Sequence, residues 1–217
     1  QGQTGNNTSN PALSNDSEAF INQNGSDNYA ETNQNGAGNY SEQTQDGDRN
    51  NATIAVQRDF NTNSGTVVPD GNFHVQTQTG NDNTATASSF NGPNTGEQVQ
   101  DGNLNNSTLK QGGPNSENND IYTYQEGDEN VAFVDQVGIE NVDNTADVQQ
   151  FGDKDDTNVD QNGDDNGANV DQNGGENYSK VDQTEASGNG NDGDADDNYA
   201  KVDQDGEDND SWIYQNG

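Results

Sequence analysis

The sequence has no cysteine and no methionine, four prolines, one tryptophan, one histidine and only six lysine and arginine residues together. The missing cysteine excludes a disulfide framework, a thiolate metal site and a thiol nucleophile. The scarcity of basic residues, against 40 acidic ones and a formal charge of -34, argues against nucleic acid, whose phosphates a binder must neutralise. Hydrophobic residues make up 23% of the chain, half the roughly 45–50% of an ordinary domain, so an aliphatic core of the usual size is not available. No run approaches the roughly 18 apolar residues of a membrane-spanning helix, and no membrane insertion is expected. What is abundant is amide: 39 Asn and 21 Gln fill 60 of 217 positions, and Gly adds 26. Low hydrophobicity with high net charge is the composition of a disordered chain, so any fold must come from order in the sequence.

That order is a repeat. Gln23, Gln34 and Gln45 stand 11 apart, as do Gln100 and Gln111, Gln125 and Gln136, and Gln204 and Gln215. Gln150, Gln161, Gln172 and Gln183 run unbroken at the same spacing. Gly stands two after many of these, as at Gly25, Gly47, Gly102 and Gly174. Asn stands five after at Asn28, Asn39, Asn50, Asn83, Asn105, Asn130, Asn141, Asn166, Asn177 and Asn209. Asn198, six before Gln204, continues that column. A small residue follows at seven and an apolar one at nine, as in Ala168 and Val170 before Gln172. Positions seven, nine and eleven differ by two, which puts them on one face of a strand. Gly and Asn between strands tolerate positive φ and supply the turn. Helix is disfavoured by the apolar spacing and by recurrent Gly.

A strand with one small, one branched and one amide residue inward must stack on copies of itself. The expected fold is all-β: a cross-β solenoid of two-strand rungs, about 22 residues per rung, with two facing parallel in-register sheets and Gln/Asn ladders. At the roughly 4.8 Å spacing of paired strands, each Gln amide donates to the next rung and accepts from the one before. On this arrangement Gln23 stacks on Gln45, Gln150 on Gln172 and Gln161 on Gln183. The interval from Gln23 to Gln215 holds roughly 8 to 9 rungs.

The unit Q-x-G-x-x-N-x-[A/S]-x-V-x-Q resembles the curlin repeat of curli major subunits, the secreted bacterial functional amyloids. The matching stretches include QNGSDNYAETNQ (23–34), QEGDENVAFVDQ (125–136), QNGDDNGANVDQ (161–172), QNGGENYSKVDQ (172–183) and QDGEDNDSWIYQ (204–215). The resemblance covers roughly residues 20–217. It implies a solenoid that stacks end to end into extracellular fibres of a biofilm matrix, with adhesion and surface colonisation as the outcome. It also implies a nucleator subunit and an outer-membrane secretion pore as partners. In that family the inward Gln and Asn ladders carry the fold, which here assigns self-assembly to the Gln and Asn columns above. The chain departs from the pattern in its acidity, in residues 58–76 and 184–193, and at Phe90, which stands where Gln is expected.

Residues 1–20 are polar and lack the repeat; they are expected to be a flexible leader ahead of the solenoid at 21–217. No charged start and apolar stretch precede them, so a signal peptide is expected to have been removed already. Twelve acidic residues lie at or before position 108 and 28 after it. Asp135, Asp160, Asp171, Asp182 and Asp203 each precede a ladder Gln and face outward, as a solvated face or a loose divalent-cation surface. Tyr178, Tyr199, Trp212 and Tyr214 also face outward.

Candidate chemistry is thin. His74 has no partners placed near it for a triad or metal site, and the many carboxylates lack an apolar pocket that would shift them into acid–base use. Asp192, Asp194 and Asp196 resemble the start of a calcium loop, but Asp197 stands where Gly is required. Neither enzyme activity nor a cofactor is expected. The rival readings are a nucleator or minor subunit with the same repeats and an ice- or surface-binding β-solenoid. The varied outward residues Glu31, Asn169, Lys180 and Trp212 speak against the second.

Overall fold

A computed structural model describes residues 17–35, 38–58, 71–90, 92–113, 116–138, 142–184 and 198–216. Alternation of inward small, aliphatic and amide residues with outward polar ones produces sixteen strands and, among the described residues, no helix. In chain order they are β1 (Glu18–Asn24), β2 (Tyr29–Asn35), β3 (Tyr40–Asp46), β4 (Asn51–Arg58), β5 (Phe73–Asn81), β6 (Thr84–Phe90), β7 (Thr95–Asn103), β8 (Asn106–Gly112), β9 (Asp120–Glu126), β10 (Val131–Val137), β11 (Thr145–Asp153), β12 (Asp156–Asn162), β13 (Gly167–Gly175), β14 (Tyr178–Thr184), β15 (Tyr199–Glu207) and β16 (Asp210–Asn216).

Odd-numbered strands form one eight-stranded sheet and even-numbered strands the other, each in chain order. Every pairing is parallel. The molecule is therefore a β-solenoid of two facing sheets, with the Gln/Asn ladders expected from the repeat. Register is set by the repeat itself: Gln150 pairs with Gln172 and Gln172 with Gln204, while Gln161 pairs with Gln183 and Gln183 with Gln215. A one-residue slip would turn every inward side chain outward.

The interior has three columns per sheet. One is of small residues, such as Ala146, Ala168 and Ala200. The middle column is aliphatic in the later rungs, where Val148, Val170 and Val202 face Val134, Val159 and Val181 within one apolar cluster. In the earlier rungs of the odd sheet, Gln43, Gln76 and Gln98 occupy that column, fully buried. The third column is the main Gln ladder.

Rung length varies at one kind of corner only. Corners from an odd- to an even-numbered strand never exceed four residues, whereas the four long ones (59–72, 113–119, 138–144 and 185–198) all lead from even to odd. An insertion there leaves register intact. Gln45 bonds Gln78 across 33 residues of chain and Gln100 bonds Gln125 across 25, instead of the basic 22.

The short corners are specified tightly. Their left-handed position is held by Asp27, Arg49, Asp82, Leu104, Glu129, Lys154, Glu176 and Asp208, all near φ 60°. Gly102, two residues ahead of Leu104, sits at φ 133°, and a Cβ there would lie 1.9 Å from the carbonyl oxygen of Gly127 in the next rung. Only Gly allows that stacking distance.

Three expectations are refined. β1 begins at Glu18, ahead of the expected boundary at 21; residues 1–16 lie outside the described set. In the stretch 58–76, β4 reaches Arg58, β5 starts at Phe73 in register with Tyr40, and 59–70 lie outside the described residues. Phe90 does not replace a ladder Gln: Ser89 pairs with Gln111 and is buried, while Phe90 pairs with Gly112 and is exposed.

Candidate self-assembly ladder

The ladder of the odd sheet runs through every rung. Gln23 donates to Gln45 (2.7 Å), Gln45 to Gln78 (2.8 Å), Gln78 to Gln100 (2.9 Å) and Gln100 to Gln125 (2.9 Å). Gln125 donates to Gln150 (2.8 Å), Gln150 to Gln172 (3.0 Å) and Gln172 to Gln204 (2.9 Å). In the even sheet Gln111 donates to Gln136 (3.5 Å), Gln136 to Gln161 (2.8 Å), Gln161 to Gln183 (2.9 Å) and Gln183 to Gln215 (2.7 Å). Most of these amides spend their second N–H on a backbone carbonyl of the facing sheet, as Gln45 does on Tyr29 O and Gln125 on Asn106 O. Gln34 donates to Glu18 O and Ser41 Oγ. The ladders thus bind neighbouring rungs and the two sheets at once. Burying an amide costs about 1–3 kcal/mol unless it is bonded, and here neighbouring rungs satisfy the amides of the ladder interior, leaving only the Oε1 atoms of Gln23 and Gln111 without a partner among the ladder Gln residues described.

Two Asn columns close the corners. Across one, Asn50 N donates to Asn28 Oδ1, and Asn28 Nδ2 donates to Gly47 O (2.8 Å). Asn130, Asn177 and Asn209 continue it. Across the other, Asn39 Oδ1 accepts from Asn72 N (3.0 Å), Asn166 N donates to Asn144 Oδ1 (2.9 Å) and Asn198 Nδ2 donates to Asn166 Oδ1 (3.1 Å). The structure joins the expected ladder residues rung to rung through their side chains, apart from Gln34, which pairs in register with Gln57 while its amide bonds Glu18 O and Ser41 Oγ, and apart from Asn141. It adds Gln43, Gln76 and Gln98, a second ladder with Gln43 to Gln76 at 2.9 Å and Gln76 to Gln98 at 2.8 Å. The Q-x-Q spacing of Gln43 with Gln45, Gln76 with Gln78 and Gln98 with Gln100 is the signal for it, since residues two apart share a face. Asn144, not Asn141, fills the corner column after the longer 138–144 corner; Asn141 lies outside the described residues.

The ladder is polar, with Nε2 pointing to the following rung throughout. At its start Gln23 Oε1 is buried and has no hydrogen-bond partner among the described residues, although every later Gln of that ladder accepts from the rung before. At its end Gln204 Nε2 turns to Tyr178 O (3.1 Å) and Asn209 O (3.0 Å). Gln111 Oε1 is also unpartnered, because Ser89 in the preceding rung bonds Asn72 Oδ1 instead (2.7 Å).

On the outer face of the even sheet Lys110, Asp135, Asp160, Asp182 and Tyr214 stack in one column. Partial burial, then the charges of Asp135 and Asp182, push the Asp160 carboxyl up. Lys110 approaches Asp135 (3.6 Å) and Lys180 approaches Asp182 (3.8 Å), with Lys180 also over the Tyr214 ring. On a short corner Arg49 grips Asp82 with two hydrogen bonds (2.7 and 2.6 Å), which lowers the Asp82 carboxyl. Tyr199, Trp212 and Tyr214 are exposed. Asp192, Asp194 and Asp196 lie outside the described residues, and among the described ones no group of three His, Asp or Glu side chains is placed to hold a metal ion.

A scan against protein-family models finds no match for the chain, and searches of curated proteins and of solved structures find none either. The geometry of the ladders and of the two ends is what a functional reading rests on.

Proposed function

We propose that this chain is a structural subunit that joins copies of itself end to end into a curli-like extracellular amyloid fibre, by templated addition of strands. The observation that carries the reading is the buried, unpartnered Oε1 of Gln23 at the start of a ladder whose other members all accept from the preceding rung. A preceding rung from a second copy supplies the missing donor. Continuing the in-register stack puts β15 against β1 and β16 against β2 of the next copy. Gln204 then meets Gln23, Ala200 meets Ala19, Val202 meets Ile21 and Gln215 meets Gln34, so the three interior columns of the odd sheet and the Gln column of the even sheet continue in kind. Among the described residues no strand covers β1, β2, β15 or β16 on its outer side, and such edges template further pairing. Biofilm and adhesion roles, a nucleator and a secretion pore belong to the same proposal through the curlin-like repeat.

The test is seeded growth of purified chain. Fibres with a meridional reflection at about 4.7–4.8 Å, elongating without lag on sonicated seeds, are expected. A chain that remains monomeric under seeding overturns the proposal.

A further inference from the structure

One rung of a corner ladder breaks the chemistry of all the others. In the column of Asn28, Asn50, Asn83, Asn105, Asn130 and Asn177, each Nδ2 donates to a Gly carbonyl one rung on, at 2.7 to 3.0 Å. The rung between Asn130 and Asn177 carries Asp155, which is fully buried. Its Oδ1 behaves as the amide oxygens do, accepting from Asn177 N and Asn177 Nδ2 at 3.0 Å each. Its backbone N–H donates to Asn130 Oδ1 (2.9 Å), again as in the other rungs. Its Oδ2 therefore stands in the place of the amide nitrogen, and it has no partner. Asn130 donates to Gly152 O and Asn177 to Gly206 O, and Gly152, Gly174 and Gly206 pair in sequence. Register thus sets the Gly174 carbonyl opposite Asp155 Oδ2. An ionised oxygen there would meet another acceptor.

We propose that Asp155 is a proton-binding site of the folded solenoid, its carboxyl group carrying a proton from solvent on Oδ2 and donating it to the carbonyl oxygen of Gly174. A protonated carboxyl has one donor and one acceptor oxygen, the same pattern as an amide. The surroundings agree. The charged groups nearby are Asp128 and Glu129 on the corner before, Asp153, Lys154 and Asp156 beside Asp155, and Glu176 on the corner after. Lys154 is drawn to Glu176 (3.4 Å) and offers no bond to Asp155. Burial, partly opposed by the two bonds from Asn177, pushes the carboxyl up, and the charge of Asp153 adds to it. Folding then takes up a proton at this corner. Its contribution is present at low pH and is lost as pH rises through the raised folded value.

The test compares the full chain with Asp155→Asn, which restores the residue type of the column. Infrared difference spectra at neutral pH should show a protonated carboxylic C=O band in the parent chain that is absent from Asp155→Asn. The variant should unfold at higher denaturant than the parent, by a margin that closes at acid pH, opens as pH rises past the ordinary carboxylate range, and levels off above the raised folded value. An identical band in both chains, or parallel pH profiles, overturns the proposal. So does failure of Asp155→Asn to fold, or a gap that calcium closes in place of acid.

Discussion

The imidazole of His74 occupies the space that Gly96 leaves empty in the next rung: a Cβ built on Gly96 would lie 2.4 Å from Nδ1 and 2.7 Å from Cε1. The two residues belong to the column that is Ser41 one rung earlier and Ile121 one rung later. A large side chain there is fitted by a missing one above it, as in any close-packed interior. Gly96→Ala should therefore destabilise the solenoid by about 1–3 kcal/mol, the usual cost of overpacking. Combining it with His74→Ala should return part of that loss. Chemical unfolding of the two single variants and the double variant measures the coupling, and additive losses would contradict the fit.

His74 also gives the solenoid an acid sensitivity of its own. It is fully buried, neither ring nitrogen has a hydrogen-bond partner, and burial lowers its pKa from 6.5 to about 4. The folded chain thus keeps it neutral, while the unfolded chain takes up a proton below its ordinary value. Stability is fully present above about pH 6.5 and falls as pH drops toward about 4, by about 3 kcal/mol in all. His74→Ser, which repeats Ser41, should flatten that part of the profile. Its sign is opposite to that of Asp155, so the two variants separate the contributions.

The period of 11 and its Gln, Asn, small and aliphatic columns were enough to place strands, faces and in-register stacking, because each column has one physical use. What stayed hidden follows from insertions and from residues that act through their rung neighbours. Asn144 replaces Asn141 because a longer corner shifts the count without disturbing the sheet. Ser89 rather than Phe90 fills the ladder site because it alone stands 22 residues before Gln111, its partner in β8, which leaves Phe90 on the outward face. His74 reads in isolation as a lone polar residue, and only its pairing with Gly96 explains how it is accommodated. Asp155 follows the five-after rule poorly, being an acid in an Asn column, and its burial depends on neighbours 22 and 25 residues away.

The interior amides should be far more costly to lose than the outward ones. Gln125 accepts from Gln100, donates to Gln150 and donates to Asn106 O. Gln125→Ala leaves buried partners on both neighbouring rungs unsatisfied, at about 1–3 kcal/mol each. Gln149, next to Gln150 but facing outward, bonds only the exposed side of its own strand through Asp147. Gln149→Ala should change stability by no more than about 0.5 kcal/mol. Denaturant midpoints of the two variants decide it, and equal losses would remove the ladder as the source of stability.

Leu104 is the corner residue least suited to its backbone. It holds the left-handed position at φ 60° with more than half of its surface exposed, where the same position on other rungs carries Asp, Glu, Lys or Arg. Its N–H donates to Asn81 O (3.0 Å), so the conformation is fixed by the stack and not by the side chain. A left-handed conformation costs a non-Gly residue about 1–2 kcal/mol, and Asn adopts it more readily than Leu. Leu104→Asn should consequently raise stability by about 0.5–1 kcal/mol without altering register. An increased urea midpoint at unchanged m-value is the expected reading, and a decrease would mean that the exposed Leu side chain contributes packing beyond its own corner.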